Sequence, residues 1–192
     1  MKYFFVADFH LGHPNIIEYA NRPFKTLEEM NETIIRRHNE RVKPEDTVYF
    51  LGDFCTEGVN KKAEDYFKQL NGRFVFCGGN HDNNNSLRTI TEAIVLHAGG
   101  KQILCVHDPF YASDAFELNL CGHVHDAWKY KWISDKSLVI NVGVDVRNFY
   151  PVSLDEILKE ETMLRKRKLE ENKNEERKEK AVRNEGLPKR GI

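Results

Sequence analysis

The sequence lacks the features that mark membrane, secreted or thiolate-metal proteins. No stretch approaches the roughly 18 apolar residues that a membrane-spanning helix needs, and the apolar run at residues 3–7 leads at once to Asp8 and His10, unlike a signal peptide. The four cysteines have no CxxC spacing and lie in apolar segments, so we expect buried free thiols rather than disulfides or a zinc site. We therefore expect a cytoplasmic protein without a membrane segment.

An excess of charge of one sign is also missing. The formal net charge is -1 at pH 7, from 29 basic and 30 acidic residues, so any polyanion has to be recognised by a local site rather than by the charge of the whole chain. The 192 residues, 40% hydrophobic and 31% charged, suffice for one domain with a substantial core. We find no internal repeat.

The composition changes near Ser153, where the sequence becomes almost entirely Glu, Lys, Arg and Asn. Leu154, Ile157 and Leu158 follow an i, i+3, i+4 pattern, which predicts that the start of a helix docks on the body. Beyond it we expect a solvated charged helix that is partly disordered, although the basic cluster at 165–168 could instead contact a nucleic acid. We assign residues 1–152 to a folded domain and 153–192 to a charged helical extension.

Before this extension, short apolar runs alternate with amphipathic stretches. Helices are predicted over about 26–42 and 60–71, with Thr26 as N-cap and Glu29 at the reciprocal capping-box position. The order βαβαβ followed by several strands predicts an α/β fold in which a partly parallel sheet faces a more antiparallel one, with helices outside. The strands are predicted at residues 3–7, 47–52, 73–78, 93–97, 102–107, 118–123 and 137–143.

Potential metal ligands follow nearly every predicted strand. A lone Asp or His after a strand is usually structural, but turns alone favour Asp, Asn and Gly and not repeated His. Because ligands collect at the carboxyl ends of strands in α/β sheets, the set predicts a metal site at this edge. Its members, in chain order, are Asp8, His10, Asp53, Asn80, His81, His107, His123 and His125.

The chemistry of these residue types narrows the metal and the reaction. Carboxylate, imidazole and amide ligands without thiolate suit Mn, Fe, Zn, Co or Ni rather than calcium or a structural zinc. Two such ions about 3.5 to 4 Å apart need a bridging carboxylate, and they hold both the attacking and the leaving oxygens of an in-line displacement at phosphorus. A water that bridges the two ions loses a proton and becomes the nucleophile. We expect two divalent metal ions, with manganese as first choice.

The ordered motifs D-x-H, G-D, G-N-H-D, H and G-H-x-H resemble those of the calcineurin-like metallophosphoesterases over residues 1 to about 150. The resemblance implies a four-layer αββα sandwich, a dinuclear centre and phosphoesterase activity. It implies that His81 is the imidazole that contacts the substrate phosphate and protonates the leaving alkoxide. The implied ligands are Asp8, His10 and His125 on one metal, Asn80, His107 and His123 on the other, and Asp53 on both.

Two positions near the motifs leave alternatives open. Small bacterial and phage-borne members of the family often read D-x-H-x-x-H-x-N, as residues 8–15 do here, which implies that His13 contacts the phosphate or supports a ligand; the alternative is a loop-packing histidine. Many members carry an acidic residue three positions after the bridging aspartate, where it orients the catalytic imidazole, whereas this chain has Thr56. Thr56 itself, Glu57 or a water could take that part.

The motifs do not discriminate among substrates. No large cap insertion separates Asp82, His107 and His123, so we expect an open site that favours phosphodiesters or small nucleotides over one monoester. A phosphomonoesterase, a nuclease or RNA-processing phosphodiesterase, and a non-catalytic scaffold remain alternatives. The segment NRPF at 21–24, together with Arg36 and Arg37, could hold a second phosphate or a nucleotide; the alternative is that the helical arginines face solvent. Aromatic residues near the motifs could stack a base or pack the core: Phe9, Phe54, Phe110, Tyr111, Trp128, Tyr130 and Trp132.

Overall fold

The computed structural model describes residues 1–56, 61–87 and 91–185. Within these ranges the α-helices are α1 (Ile16–Tyr19), α2 (Leu27–Arg41), α3 (Ala63–Phe67) and α4 (Leu154–Glu185). The strands are β1 (Tyr3–Val6), β2 (Thr47–Leu51), β3 (Arg73–Cys77), β4 (Ala93–Ala98), β5 (Lys101–Val106), β6 (Leu118–Cys121), β7 (Tyr130–Trp132), β8 (Leu138–Asn141) and β9 (Val152–Ser153).

The strands form two sheets, in the orders β3-β2-β1-β9 and β4-β5-β6-β8-β7. In the first sheet β1, β2 and β3 are parallel and β9 is antiparallel to β1. In the second, β5, β6 and β8 are parallel, with β4 and β7 antiparallel at the edges. The predicted α/β sandwich is confirmed, and the six parallel strands bring their carboxyl ends to one edge of each sheet.

The core forms because apolar side chains alternate along the strands and recur at helical spacing in α2. Met30 and Ile34 lie one turn apart on α2 and are buried with Phe4 and Val6 of β1. Phe5 points to the opposite face of the strand and is also fully buried. The first sheet is therefore buried on both faces at β1. Polar side chains of this region are left to the turns that follow the strands.

The start of α2 follows the predicted cap with one change. Thr26 Oγ1 accepts a hydrogen bond from Glu29 N at 3.1 Å, as expected for an N-cap. The carboxylate of Glu29, however, accepts from Lys25 N at 2.9 Å rather than from the N-cap residue itself. The Glu29 carboxylate therefore binds the backbone of Lys25, which precedes the N-cap residue Thr26.

The two sheets meet at the carboxyl ends of their strands. Ala7, directly after β1, forms an isolated parallel bridge with Gly143, which follows β8. Val144 N also donates to Ala7 O at 3.2 Å. This junction brings the loops after β1 and β8 together, so side chains from both sheets can share one site.

The four cysteines are buried and none of them forms a disulfide in the described part of the chain, as the sequence predicts. Burial raises the pKa of the Cys77 thiol to about 11, so this thiol is protonated at neutral pH. Within the described ranges, no helix combines the length and the apolar character needed to cross a membrane.

The chain divides into two compact units, residues 1–157 and 158–192. In the second unit basic residues pair with glutamates one turn earlier or later, as in Arg165 Nε to Glu161 Oε1 at 2.8 Å and Arg167 Nε to Glu171 Oε1 at 2.9 Å. Two cations of the basic cluster at 165–168 are therefore paired within the helix itself, as in the solvated charged helix that the sequence predicts. The extension, predicted to be helical and partly disordered, is helical as far as Glu185, and residues 186–192 lie outside the described residues.

Candidate metal centre

Five of the seven predicted ligands have a backbone conformation that is rare for residues other than glycine. The φ angle lies between 45° and 70° at Asp8, His10, Asp53, His123 and His125, out of eight described non-glycine residues with positive φ. Each such conformation costs about 1–3 kcal/mol. The surrounding structure must supply this free energy, and strain of this kind concentrates at functional sites.

Asp8, His10 and Asp53 form one buried group whose candidate ligand atoms all lie within 4.8 Å of one another. Among the described atoms, His10 Nε2 is buried without a hydrogen-bond partner, although Asp53 Oδ2 is 3.4 Å away. A buried nitrogen in this condition is unfavourable unless something else binds it. Burial lowers the pKa of His10 to about 3, which keeps the imidazole in the neutral form that binds metals. This group could hold a divalent cation.

A second group consists of Asn80, His107 and His123. Asn80 Oδ1 lies 3.0 Å from His107 Nε2 and 3.0 Å from His123 Nδ1, and the two ring nitrogens are 3.2 Å apart. His107 Nδ1 donates to Leu51 O at 2.8 Å, so Nε2 is the nitrogen turned toward the other two side chains. Carbonyl oxygen and imidazole nitrogen converge here in the manner of a ligand set.

Asp53 lies between the two groups. Its Oδ2 is 3.4 Å from His10 Nε2 and 3.3 Å from His107 Nε2, and its Oδ1 accepts from His81 N at 2.9 Å. Burial raises the pKa of Asp53, but the hydrogen bond from His107 and the nearby imidazoles outweigh it and bring the pKa to about 2. An ionised carboxylate in this position can serve a cation on either side.

The loops that carry these groups are fixed by a further carboxylate, that of Asp82. Its Oδ2 accepts from Asp53 N and Gly79 N, both at 2.8 Å, and its Oδ1 accepts from Phe54 N at 2.9 Å. A Cβ on Gly79 would collide with the Asp53 carboxylate and backbone. The last position of the G-N-H-D motif therefore ties the turn after β3 to the turn after β2, and the glycine permits their close approach.

The carboxylate of Asp8 holds the turn after β6. Both of its oxygens accept from His123 N at 3.0 Å, and a Cβ on Gly122 would lie 2.7 Å from Asp8 Oδ2. Burial raises the pKa of Asp8 to about 6, against the lowering effect of His107 and His125. A nearby cation would favour the ionised form.

His125 is oriented by a buried ion pair that the sequence analysis did not identify. Its Nδ1 lies 2.9 Å from Asp145 Oδ2, and Asp145 accepts from Arg22 Nε at 2.8 Å and Arg22 Nη2 at 3.0 Å. Arg22 also donates to the carbonyl oxygens of Asp8 at 2.7 Å and Phe9 at 3.0 Å. These hydrogen bonds occupy the Arg22 guanidinium, so Arg22 cannot hold the second phosphate considered for the segment NRPF. Because Nδ1 of His125 faces Asp145, its Nε2 is the nitrogen available to a metal.

His81 and His13 lie beside the first group. The ring centroid of His81 is 5.1 Å from that of His10 and 6.0 Å from that of His13. Burial lowers the pKa of His13, with His81 as a further cause. Among the described residues, no side chain hydrogen-bonds the His81 ring. Thr56 donates its backbone N–H to Leu11 O at 2.8 Å, and Glu57 lies outside the described residues.

A cavity of about 730 Å³ adjoins the second group. Asn80 and His107 form part of its wall, together with Asp108 and Tyr111. Of the aromatic residues considered for base stacking, Phe9 and Phe54 are buried in the core and are excluded, whereas Phe110 and Tyr111 are 83% and 68% exposed.

The sequence motifs therefore identify residues that the fold brings together, and they miss Arg22. Nothing in the segment NRPF indicates that its arginine is buried, because that depends on the distant Asp145. The one signal that the sequence offers is the position of Asp145 shortly after the predicted strand at 137–143.

Residues 1–148 match the family model described as the calcineurin-like phosphoesterase superfamily domain. An uncharacterized protein of Methanocaldococcus jannaschii is 38% identical over 166 residues, which cover 82% of this chain and 90% of that protein. The crystal structure of a protein of unknown function from Aquifex aeolicus superposes with a TM-score of 0.65 at 25% identity, covering 82% of this chain and 98% of that one. The structure of a novel archaeal phosphodiesterase matches at 21% identity over 74% of this chain and 84% of its own, with a TM-score of 0.41.

Proposed function

The chain belongs to the calcineurin-like phosphoesterase superfamily, and from this premise we propose that it is a phosphodiesterase, dependent on two divalent metal ions, that acts on small or nucleotide-type substrates. The observation that carries the proposal is the position of Asp53, whose Oδ2 lies 3.4 Å from His10 Nε2 and 3.3 Å from His107 Nε2. One carboxylate thus faces two separate groups of donors, which is the arrangement that a two-metal hydrolase requires.

We propose manganese as the preferred metal, with Fe, Zn, Ni or Co as alternatives. The orphaned His10 Nε2 and the convergence of Asn80 with two imidazoles support a fit between these donors and such ions. When bound, the ions supply an activated water and neutralise charge on the phosphoryl oxygens. The proposed ligands are Asp8, His10 and His125 for one ion, Asn80, His107 and His123 for the other, and Asp53 for both.

Two histidines act on the substrate in this proposal. His81 has its backbone fixed by the bond from its N–H to Asp53, while its partly exposed ring is available to protonate the leaving alkoxide. His13 lies beside His81, with ring centroids 6.0 Å apart, and contacts the phosphate. The open cavity next to Asn80 supports a diester, because a diester carries a second substituent that needs room beyond the phosphate.

The test begins with protein stripped by EDTA and reloaded with manganese. We expect hydrolysis of bis(p-nitrophenyl) phosphate with a kcat/KM above that for p-nitrophenyl phosphate. The Asp53→Asn variant should lose activity and metal content together, because one carboxylate serves both ions; metal content is measured by elemental analysis. A higher kcat/KM for the monoester would replace the proposal with a phosphomonoesterase, and hydrolysis of neither would favour a scaffold.

The nuclease alternative has its own measurement. Binding of single-stranded nucleic acid that weakens steeply with salt would favour it, since each phosphate contact releases counterions. We expect no such binding through residues 165–168, because glutamates on both sides offset the charge of this cluster, and two of them pair with Arg165 and Arg167.

A further inference from the structure

The cavity beside the proposed metal centre has the size of a small-molecule site. Its volume of about 730 Å³ lies within the roughly 300–1,000 Å³ typical of ligand pockets. Since Asn80 and His107 belong both to its wall and to the second donor group, a phosphate at that group would have its substituent inside this cavity. Its other lining residues are Gly78, Gly79, Asn83, Thr91, Glu92, Asp108 and Tyr111.

An aromatic surface borders the cavity. Tyr111 lines the cavity and is 68% exposed, so its ring is accessible to a bound ligand. Phe110, 83% exposed, packs edge-to-face on it with ring centroids 5.4 Å apart, and both lie in the short 3-10 helix Pro109–Tyr111. The carboxylate of Asp108 caps this helix by accepting from Phe110 N at 2.8 Å, so the rings are presented on a fixed backbone.

The charge of the cavity wall limits what it can bind. Asp108 and Glu92 contribute carboxylates, and none of the described lining residues is Lys or Arg. A further phosphate of a polyphosphate chain would be repelled here, whereas hydroxyl and amino groups would donate hydrogen bonds to the carboxylates. The wall therefore suits a neutral group that has a flat ring and several donors.

We propose that this cavity binds the nucleoside part of the substrate, with Tyr111 stacking on the base and Asp108 and Glu92 accepting hydrogen bonds from its hydroxyl or amino groups. The inference rests on the proposed phosphodiesterase function and narrows its substrate to nucleoside monophosphate esters. Stacking on an aromatic side chain has no strong base preference, because every base has a π-face. Tyr111 is accordingly a specificity-determining residue.

The experiment compares two diesters with the same leaving group on the manganese-loaded full chain. These are the p-nitrophenyl ester of thymidine 5′-monophosphate and methyl p-nitrophenyl phosphate, which differ only in nucleoside against methyl. We expect the nucleoside ester to have a kcat/KM about tenfold higher or more, and Tyr111→Ala to lower this ratio about tenfold. Tyr111→Phe, which keeps the ring, should retain it. A third ester, with an added 3′-phosphate on the thymidine, should react no faster than the plain nucleoside ester.

Each result bears on the proposal. Equal rates for the two diesters, or a ratio that Tyr111→Ala leaves unchanged, would overturn the nucleoside site while the phosphodiesterase function stands. A gain from the 3′-phosphate would overturn the neutral class in favour of a polynucleotide. If neither diester is cleaved, the proposed phosphodiesterase function fails, and calorimetry then tests the nucleoside site by itself. Tighter binding of thymidine 5′-monophosphate than of inorganic phosphate, with the difference lost in Tyr111→Ala, would support the nucleoside site. Equal binding of the two would overturn it.

Discussion

Individual side chains at this site depend on partners far away in the sequence. His125 is held by Asp145, and Asp145 by Arg22, whose side chain is fully buried. The pKa of Asp145 is lowered because His125 and Arg22 outweigh the effect of burial, so the carboxylate remains charged and fixes one tautomer of His125. A ligand whose ring is held in this way loses less freedom when it binds a metal.

We therefore expect Asp145→Asn to weaken metal binding about 10- to 100-fold, the usual cost of losing a partner of a ligating histidine. The measurement is manganese affinity by calorimetry on stripped protein, with Asp155→Asn as control because Asp155 is an exposed acidic residue of α4. An unchanged affinity would show that Asp145 does not act through His125.

His81 provides the second prediction at this scale. His81→Ala should retain both metals but lose about 10²- to 10⁴-fold in turnover of substrates with poor leaving groups, since general-acid catalysis contributes that much. An activated aryl leaving group needs less protonation and should be partly spared. His97→Ala, at an exposed position of β4, is the matched control. Equal losses on both kinds of substrate would contradict the general-acid role.

At residue scale, the sequence predicts which Asp, Asn and His side chains gather at the strand ends, because each motif directly follows a predicted strand; that these side chains bind metal stays a prediction. The tie made by Asp82 and the burial of Arg22 could not be predicted, because both depend on which turns lie side by side. The group that orients the His81 ring stays a prediction, with Thr56, Glu57 or a water as the candidates.

Elements were predictable where their hydrophobic pattern was long. All seven predicted strands are present, while β7 and β9, with three and two residues, are too short to show a period. Helix α3 covers Ala63–Phe67 within the predicted 60–71; the segment before it lies partly outside the described residues. The existence of α2, α3 and α4 followed from the pattern, whereas the four-residue α1 was not predicted. The ends of the helices depended on local hydrogen bonds.

The ends of α2 and α4 are joined by an ion pair that makes stability depend on pH. Arg41 donates to both carboxylate oxygens of Glu156 at 2.7 Å. Burial raises the pKa of Glu156, but hydrogen bonds from Arg41 and Ser153 outweigh it and bring the pKa to about 2. Because this pKa lies below the usual 4.5, the pair stabilises the fold fully above that value and progressively less as the pH falls toward 2.

Glu156→Gln should accordingly lower the free energy of unfolding at pH 7 by less than about 1 kcal/mol, since the pair is partly exposed. The difference from wild type should shrink between pH 5 and pH 3. Urea unfolding at each pH measures it, with Glu45→Gln at an exposed position as control. A difference that is constant over this range would assign the effect to packing rather than charge.

For the whole molecule, we expect that the family domain folds without the end of the charged helix. The described side chains from Leu169 onward are exposed, so deletion of residues 170–192 should leave the melting temperature and the hydrolysis of small esters unchanged. Circular dichroism and the aryl diester assay test this. A chain that no longer folds would show that the extension contributes to the core.

The bridge between Ala7 and Gly143 joins the two sheets at the edge where the proposed ligands lie. Four of the proposed ligands, Asp8, His10, Asp53 and Asn80, follow strands of the first sheet, and His107, His123 and His125 follow strands of the second. An ion bound by ligands of both sheets favours the folded over the unfolded chain by mass action, by about 2.7 kcal/mol at a free concentration 100 times its Kd. Chelation should therefore lower the melting temperature and speed proteolysis, and an unchanged melting temperature on chelation would contradict this. Metal supply would then govern how long the folded chain survives, as well as whether it is active.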